Sequence, residues 1–63
     1  MPIVEITLFE GRSPQQKLTL MEKVTQAVVD SISVKPEAVR VILREIPPEN
    51  FAVGGVPKKM PGG

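Results

Sequence analysis

The chain has 63 residues, of which 41% are hydrophobic, and it contains no Cys, His, Trp or Tyr. These absences exclude a thiolate nucleophile, a Ser-His-Asp relay, a disulfide and a zinc site with the usual nitrogen and sulfur ligands. Eight Lys and Arg residues against seven Asp and Glu residues leave a net charge of +1. This charge is too small to indicate binding to the phosphate backbone of a nucleic acid.

The first predicted element is a strand over residues 2–9, a run that is mostly β-branched and apolar. Its polar residues alternate too little for a sheet that faces water on one side, so we expect a strand that is covered on both faces. Glu10, Gly11 and Arg12 then interrupt the apolar run. We expect a loop at these three residues.

An amphipathic helix is predicted from Ser13 to about Ser33. Ser13 at the cap, Pro14 at the first helical position and Gln16 at the third form a capping-box signature. Apolar residues then recur every three or four positions and predict one buried face. They are Leu18, Met21, Val24, Val28 and Ile32, joined by Leu20 and Ala27.

Pro36 is expected to end this helix, because proline restricts the preceding Lys35 to extended backbone angles. A second strand is predicted over residues 39–46, and Pro47 with Pro48 closes it. A strand, a crossover helix and a second strand make a βαβ unit, whose strands are parallel with a right-handed connection. The fold class is therefore α/β.

The C-terminal segment contains Gly54 and Gly55, which predict a tight hairpin turn between two very short strands. The final residues are expected to become ordered only against a neighbouring chain.

Two strands are too few for independent stability, and a domain of about 60 residues buries only about 60% of its unfolded surface. We expect one domain, residues 1–63, that is stabilised by self-association.

Membrane insertion and export are not expected. No apolar run approaches the roughly 20 residues of a membrane span, and the first residues lack a basic region followed by a small-residue cleavage site. The sequence thus predicts a soluble, cytoplasmic protein without membrane or nucleic-acid partners.

If the chain is an enzyme, its proton-transfer group must be a carboxylate, a lysine or the amino terminus, because the sequence has no His or Cys. Pro2 is a candidate for the third of these. Removal of Met1, which a small second residue usually permits, would expose a secondary amine. An apolar pocket and nearby cations would lower the pKa of this amine and make it a useful base. Arg12, Arg40 and Phe51 are the candidate neighbours. In the alternative reading, Pro2 only begins an edge strand, where proline is tolerated.

Arg12 and Arg40 are candidates for binding an anionic substrate, since a guanidinium recognises a carboxylate through two hydrogen bonds. Arg40 lies among Val, Ile and Leu residues of a predicted strand, so it must face solvent, meet a carboxylate or line a cleft. Alternatively, each arginine pairs with a surface glutamate such as Glu10 or Glu45.

Three further charged sites have simpler expected roles. Glu5 and Glu45 could act as carboxylate bases, but no spacing pairs them, and a solvated or salt-bridged role is expected. Lys58 and Lys59 are expected to be a solvated pair in the tail.

Four short motifs are specific in combination. They are Pro2-Ile3, Leu8-Phe9-Glu10-Gly11-Arg12-Ser13 leading into Gln16-Lys17, Val39-Arg40-Val41-Ile42, and Asn50-Phe51-Ala52-Val53-Gly54-Gly55. Together they resemble the small 4-oxalocrotonate tautomerase family, and the similarity covers essentially the whole chain at matching length. The tail over residues 56–63, which is rich in Pro and Gly, departs from the more polar ends of some members.

The resemblance implies a βαβ subunit assembled as a homohexamer, a trimer of dimers, in which each dimer forms a four-stranded sheet with helices on one face. It also implies 1,3- or 1,5-keto-enol tautomerisation without a cofactor. The typical reaction converts 2-hydroxymuconate to 2-oxo-3-hexenedioate during the degradation of aromatic compounds.

The resemblance also implies a role for each candidate site residue. Pro2 would be the general base, which takes the proton of the dienol hydroxyl and returns it at carbon. Arg12 would bind the distal carboxylate, and Arg40 would hold the 2-oxo or carboxylate end. Phe51 would form an apolar wall that helps to keep the proline amine neutral. Both arginines and the aromatic residue are expected to come from neighbouring chains.

Two alternatives to this reaction remain open. The chain could be a non-catalytic oligomeric module that binds a partner, for which a retained Met1 would be evidence. It could also be a tautomerase of another enol, such as one of the phenylpyruvate type, because several subunits would shape the pocket.

Overall fold

The computed structural model describes residues 1–58, and the predicted tail residues 59–63 lie outside the described part. Five regular elements follow one another along the chain. They are β1 (Ile3–Phe9), α1 (Pro14–Ile32), β2 (Arg40–Ile46), β3 (Ala52–Val53) and β4 (Val56–Pro57). Short 3₁₀ turns at Pro36–Ala38 and Pro48–Asn50, which the sequence did not predict, flank β2.

Strands β1 and β2 pair in parallel, with Ile3 opposite Arg40 at one end and Phe9 opposite Ile46 at the other. Helix α1 forms the crossover between them. The predicted βαβ unit is therefore confirmed, and the observed strand bounds differ from the predicted ones by one residue at the start of each strand.

The helix begins with the predicted capping box. The Ser13 hydroxyl accepts a hydrogen bond from the Gln16 N–H at 3.1 Å, and the Gln16 side-chain oxygen accepts one from the Ser13 N–H at 3.1 Å. Pro14 occupies the first turn, where a missing N–H costs nothing. These local bonds fix the point at which the chain leaves the loop after β1.

The helix ends at Ile32 with Ser33 as its cap, which confirms the predicted end at about Ser33, but the residue that ends it is not Pro36 as predicted. Ser33 adopts left-handed angles (φ 57°, ψ 47°), and its N–H donates to the Val29 carbonyl at 3.0 Å. Termination therefore occurs three residues before Pro36, because a left-handed residue turns the chain out of the helix. Lys35 is extended (φ −76°, ψ 146°), as expected for a residue before proline.

The expectation of a strand covered on both faces is wrong for the single chain. Side chains along β1 and β2 largely alternate in burial, because α1, the one α-helix among residues 1–58, covers one face of the sheet. The half-buried residues of the two strands are Val4, Ile6, Leu8, Phe9, Val41, Leu43 and Ile46. The opposite, open face carries Ile3, Glu5, Thr7, Arg40, Ile42 and Arg44.

The chain alone leaves much apolar surface in water. Within residues 1–58 no side chain is fully buried, and Leu18 and Ile32 of the predicted apolar helix face are 47% and 57% exposed. The Cα radius of gyration is 15.0 Å, whereas a compact chain of this length would have about 11 Å. This thin, extended form is typical of a subunit and not of an independent domain. No helix among the described residues has the length and apolar character to span a membrane.

The C-terminal hairpin confirms the prediction for the two glycines. β3 and β4 pair antiparallel, and Gly54 and Gly55 have positive φ angles of 60° and 83°. Two consecutive positive φ angles are the requirement of a type I′ turn, which glycine meets without strain. A further backbone bond, from the Lys58 N–H to the Phe51 carbonyl at 2.8 Å, closes the hairpin at its base.

Candidate active site

Pro2 and Arg40 lie together at the end of the sheet where the strands begin. Pro2 is half-buried, and its carbonyl accepts a hydrogen bond from the Arg40 N–H at 3.0 Å. The Arg40 guanidinium donates through Nη1 to the Glu37 carbonyl at 2.6 Å. The alternative in which Arg40 pairs with Glu10 or Glu45 is therefore wrong.

Arg12 and Phe51 lie at the other end of the sheet, where the strands finish. Both line a cavity of about 320 Å³. The lining is apolar except for Arg12 and one threonine. Its residues are Thr7, Leu8, Phe9, Arg12, Ile46 and Phe51.

The wall of the cavity is a pair of aromatic rings. Phe9 and Phe51 meet edge to face, with ring centroids 5.3 Å apart and planes at 88°, an arrangement that the ring quadrupoles favour. Lys58 places its Nζ atom 5.8 Å from the Phe9 centroid. Lys58 was predicted to be solvated only, whereas in the structure it makes a cation–π contact. Its predicted partner Lys59 lies outside the described residues.

Arg12 projects from the loop between β1 and α1, and its side chain is exposed. The loop is held by the Glu10 N–H, which donates to the Ile46 carbonyl at 3.0 Å, and by Gly11, whose φ of 114° suits only glycine. Arg12 forms no hydrogen bond or ion pair within residues 1–58. The expected pairing of Arg12 with a surface glutamate is therefore not observed there.

The two ends of the sheet are too far apart for one small substrate. A strand rises by about 3.3 Å per residue, so the seven residues of β1 separate Pro2 from the cavity by about 20 Å. One chain therefore pairs the backbone of Arg40 with that of Pro2 and places Arg12 and Phe51 at one cavity, but it does not bring these two pairs together.

Glu5 and Glu45 are both engaged in ion pairs. On the open face, Arg44 Nη1 lies 3.2 Å from Glu5 Oε2, and Arg44 Nη2 donates to Glu5 Oε1 at 3.4 Å. Glu45 meets Lys17 of the helix at 3.0 Å. Hydrogen bonding and charge attraction from Arg44 lower the pKa of Glu5. The predicted salt-bridged role is thus confirmed. Across residues 1–58, no cluster of three or more acidic side chains is placed to hold a metal ion.

Comparison with known proteins identifies the family. A family model described as "Tautomerase enzyme" matches residues 2–60. The chain belongs to the tautomerase family. It is 44% identical over 57 residues to the 2-hydroxymuconate tautomerase of Pseudomonas putida, and the match covers 90% of each protein. Relatives of this kind identify the chain as an isomerase of the 4-oxalocrotonate tautomerase type.

Solved structures of related tautomerases share the fold. TomN, a 4-oxalocrotonate tautomerase homologue in the tomaymycin biosynthetic pathway, is 46% identical with a TM-score of 0.87, and the match covers 90% of this chain and 88% of TomN. A heterohexamer 4-oxalocrotonate tautomerase from Chloroflexus aurantiacus J-10-fl is 36% identical with a TM-score of 0.86, covering 92% of this chain and 94% of that one. Similarity therefore extends along nearly the whole tautomerase chain.

Sequence reasoning missed part of the cavity of this tautomerase. Phe9 and Ile46 line the cavity but were not predicted as site residues. They are the last residues of β1 and β2 and lie opposite each other. A signal existed, since parallel strands that end together place their final side chains at one edge of the sheet. No sequence signal placed Lys58 over the Phe9 ring, because that contact depends on the path of the hairpin.

Proposed function

We propose that this chain is a cofactor-free keto-enol tautomerase that acts on a small enol dicarboxylate such as 2-hydroxymuconate, with the amine of Pro2 as general acid and base. The family match, which begins at Pro2 and spans Arg12, Arg40 and Phe51, is the observation that carries this proposal. Relatives named 2-hydroxymuconate tautomerase at 40–44% identity support the choice of substrate.

In the proposed reaction, removal of Met1 exposes the secondary amine of Pro2. The neutral amine takes the proton from the enol hydroxyl, and the electron pair moves through the conjugated chain as the carbonyl forms. The resulting ammonium then returns the proton to carbon, so that no atom is gained or lost. Arg40 binds the 2-oxo or carboxylate end and stabilises charge that develops on oxygen.

Arg12 and Phe51 complete the proposed pocket at its distal end. The Arg12 guanidinium forms two hydrogen bonds to the second carboxylate of the substrate. The apolar wall of Phe9 and Phe51, which meet at 5.3 Å, excludes water from the amine. A low-polarity environment disfavours the ammonium form and so lowers the pKa of the proline amine.

The proposed active form is a homo-oligomer, most simply a homohexamer in which paired subunits share a four-stranded sheet. In it, Arg12 and Phe51 of one copy meet Pro2 of another. The separation of about 20 Å between these residues along β1 supports this arrangement, because one chain cannot hold both groups against one substrate. A related chain that is 36% identical forms a heterohexamer.

The decisive experiment uses protein whose intact mass confirms a Pro2 terminus. We expect it to ketonise 2-hydroxymuconate, and we expect Pro2→Ala to lower kcat/KM by roughly 10²- to 10⁴-fold, the usual contribution of a positioned base. Pro14→Ala, a proline substitution in the first turn of α1, serves as the matched control. Unchanged rates in both Pro2→Ala and Arg40→Ala would contradict the proposal.

The choice of substrate needs a panel. The homologue TomN belongs to a biosynthetic pathway, so the shared fold does not dictate a catabolic dicarboxylate. Initial rates should be compared for 2-hydroxymuconate and the enol of phenylpyruvate. A higher kcat/KM for the enol of phenylpyruvate, a monocarboxylate, would contradict the proposed dicarboxylate substrate. It would leave the proposed proton transfer by Pro2 unchanged.

A further inference from the structure

Lys58 is tied to the cavity through both its backbone and its side chain. Its N–H donates to the Phe51 carbonyl at 2.8 Å, and its Nζ atom lies 5.8 Å from the centroid of the Phe9 ring. Phe9 and Phe51 both line the cavity. The ammonium group is therefore held at the aromatic wall by a short, hydrogen-bonded hairpin.

The ammonium group of Lys58 retains hydrogen-bonding capacity at this position. An ammonium has three N–H donors. A cation–π contact is an attraction between the charge and the ring face, so N–H donors remain available for an anion. No ion pair joins Lys58 to a carboxylate of residues 1–58.

Arg12 is the one cationic side chain among the residues that line the cavity within residues 1–58, and Lys58 lies beside that lining, over the ring of Phe9. A guanidinium suits two-point binding of one carboxylate, whereas an ammonium acts as a compact point charge with free donors. The two groups therefore offer complementary contacts to an anion that enters this end of the sheet.

We propose that Lys58 is a substrate-binding residue, a second cation that acts with Arg12 on the distal carboxylate and so favours dianionic over monoanionic enols. This inference rests on the proposed function. It assigns Lys58 to recognition of the substrate charge, and it leaves proton transfer to Pro2.

The test compares Lys58→Met, which keeps an unbranched stem against Phe9, with Lys58→Arg, which keeps the charge. For Lys58→Met we expect KM for 2-hydroxymuconate to rise about threefold, the effect of one partly exposed charge pair. The kcat value and the KM for the enol of phenylpyruvate should stay unchanged, and Lys58→Arg should restore the wild-type KM. Lys23→Met, on an exposed position of α1, is the matched control.

A purely structural role gives a different pattern. If Lys58 only supports the hairpin, Lys58→Met would alter both substrates equally and lower the melting temperature, and this outcome would overturn the inference. Unchanged KM for both enols in Lys58→Met would overturn it as well.

A binding measurement separates this inference from the proposed function. Titration with cis,cis-muconate, a dicarboxylate that cannot tautomerise through an enol hydroxyl, should give a Kd about threefold weaker for Lys58→Met than for the wild type. If the wild type turned over neither enol, the proposed function would fail, and the muconate titration would still test Lys58. Equal Kd values in the two proteins would refute the role of Lys58 alone.

Discussion

At the scale of single residues, the Glu5–Arg44 pair is the clearest charge feature of the open sheet face. The Arg44 Nη2 donates a hydrogen bond to Glu5 Oε1 at 3.4 Å, and the Arg44 Nη1 lies 3.2 Å from Glu5 Oε2 in the ion pair. A guanidinium that meets a carboxylate in this two-point manner fixes both side chains more tightly than a single contact would. The pair thus places opposite charges at defined positions on the surface that the helix leaves uncovered.

The pair predicts a dependence of stability on pH. Because Arg44 lowers the pKa of Glu5 in the folded chain, the pair stabilises the fold above the unfolded pKa of the carboxyl group. That contribution is lost as the pH falls through the lowered folded pKa. We expect Glu5→Gln to have a lower urea midpoint than the wild type at pH 7.

In strong acid the two proteins should unfold at similar urea concentrations, since the wild-type carboxylate is then protonated. The pair is exposed and salt screens it, so the difference at pH 7 should also shrink in concentrated salt. A constant difference from pH 7 to pH 2 would contradict the assignment to this pair.

Arg12 shows which properties of a single residue the sequence can predict and which it cannot. The loop residues Glu10, Gly11 and Arg12 were predicted as a break before a capped helix, and the structure confirms this order. Their chemical neighbours could not be predicted from spacing. Arg12 meets Phe9 and Phe51 at one cavity, because the parallel pairing and the hairpin bring three separate segments to one edge.

At the scale of elements, the helix is defined locally at both ends. The capping box of Ser13 and Gln16 begins it, and Ser33 ends it in a left-handed conformation with φ 57°. Left-handed angles cost a residue with a Cβ atom about 1–2 kcal/mol. The helix end therefore holds strain that glycine would not have.

This strain predicts that Ser33→Gly stabilises the fold. Glycine adopts the left-handed conformation freely but gains entropy in the unfolded chain, so we expect a net gain of up to about 1 kcal/mol in the free energy of unfolding. Ser31→Gly, which lies within the last turn of the helix, should instead cost about 0.5–1 kcal/mol. Urea denaturation of both variants at one protein concentration provides the comparison, and effects of the same sign would contradict the explanation.

The hairpin links local turn chemistry to the cavity. Positive φ angles at Gly54 and Gly55 reverse the chain, and the bond from Lys58 to Phe51 closes it. The glycine pair was sufficient to predict the turn. The contact of Lys58 with Phe9 was not predictable, because it joins the hairpin to a strand some fifty residues earlier in the chain.

At the scale of the whole molecule, the chain is a thin plate that measures 45 × 26 × 13 Å. Ile3 and Ile42 on the open sheet face are 56% and 39% exposed. Exposed apolar area of this kind is unfavourable in water and is typical of a surface that a partner covers. The plate therefore needs further copies both for stability and, under the proposed function, for a complete site.

Assembly and activity should fail together in a variant of the open face. Ile42→Lys introduces a charge where a partner would cover apolar surface, and we expect smaller oligomers in sedimentation together with loss of turnover. The wild-type melting temperature should rise with protein concentration, as mass action requires for a coupled fold and assembly. Ser31→Lys on the exposed end of α1 is the control.

Two results would contradict this prediction. One is a wild-type chain that sediments as a monomer with full activity at low concentration. The other is an Ile42→Lys variant that keeps both its assembly and its turnover.

The order of elements, the capping box, the glycine turn and the absence of His and Cys were determined by the sequence itself, because each depends on neighbouring residues or on composition. The tertiary structure decided which residues meet. Parallel pairing of β1 and β2 sets Pro2 beside Arg40 and moves Arg12 and Phe51 to the far edge. These contacts join residues distant in the chain, and their energies depend on the packed arrangement, which no local pattern contains.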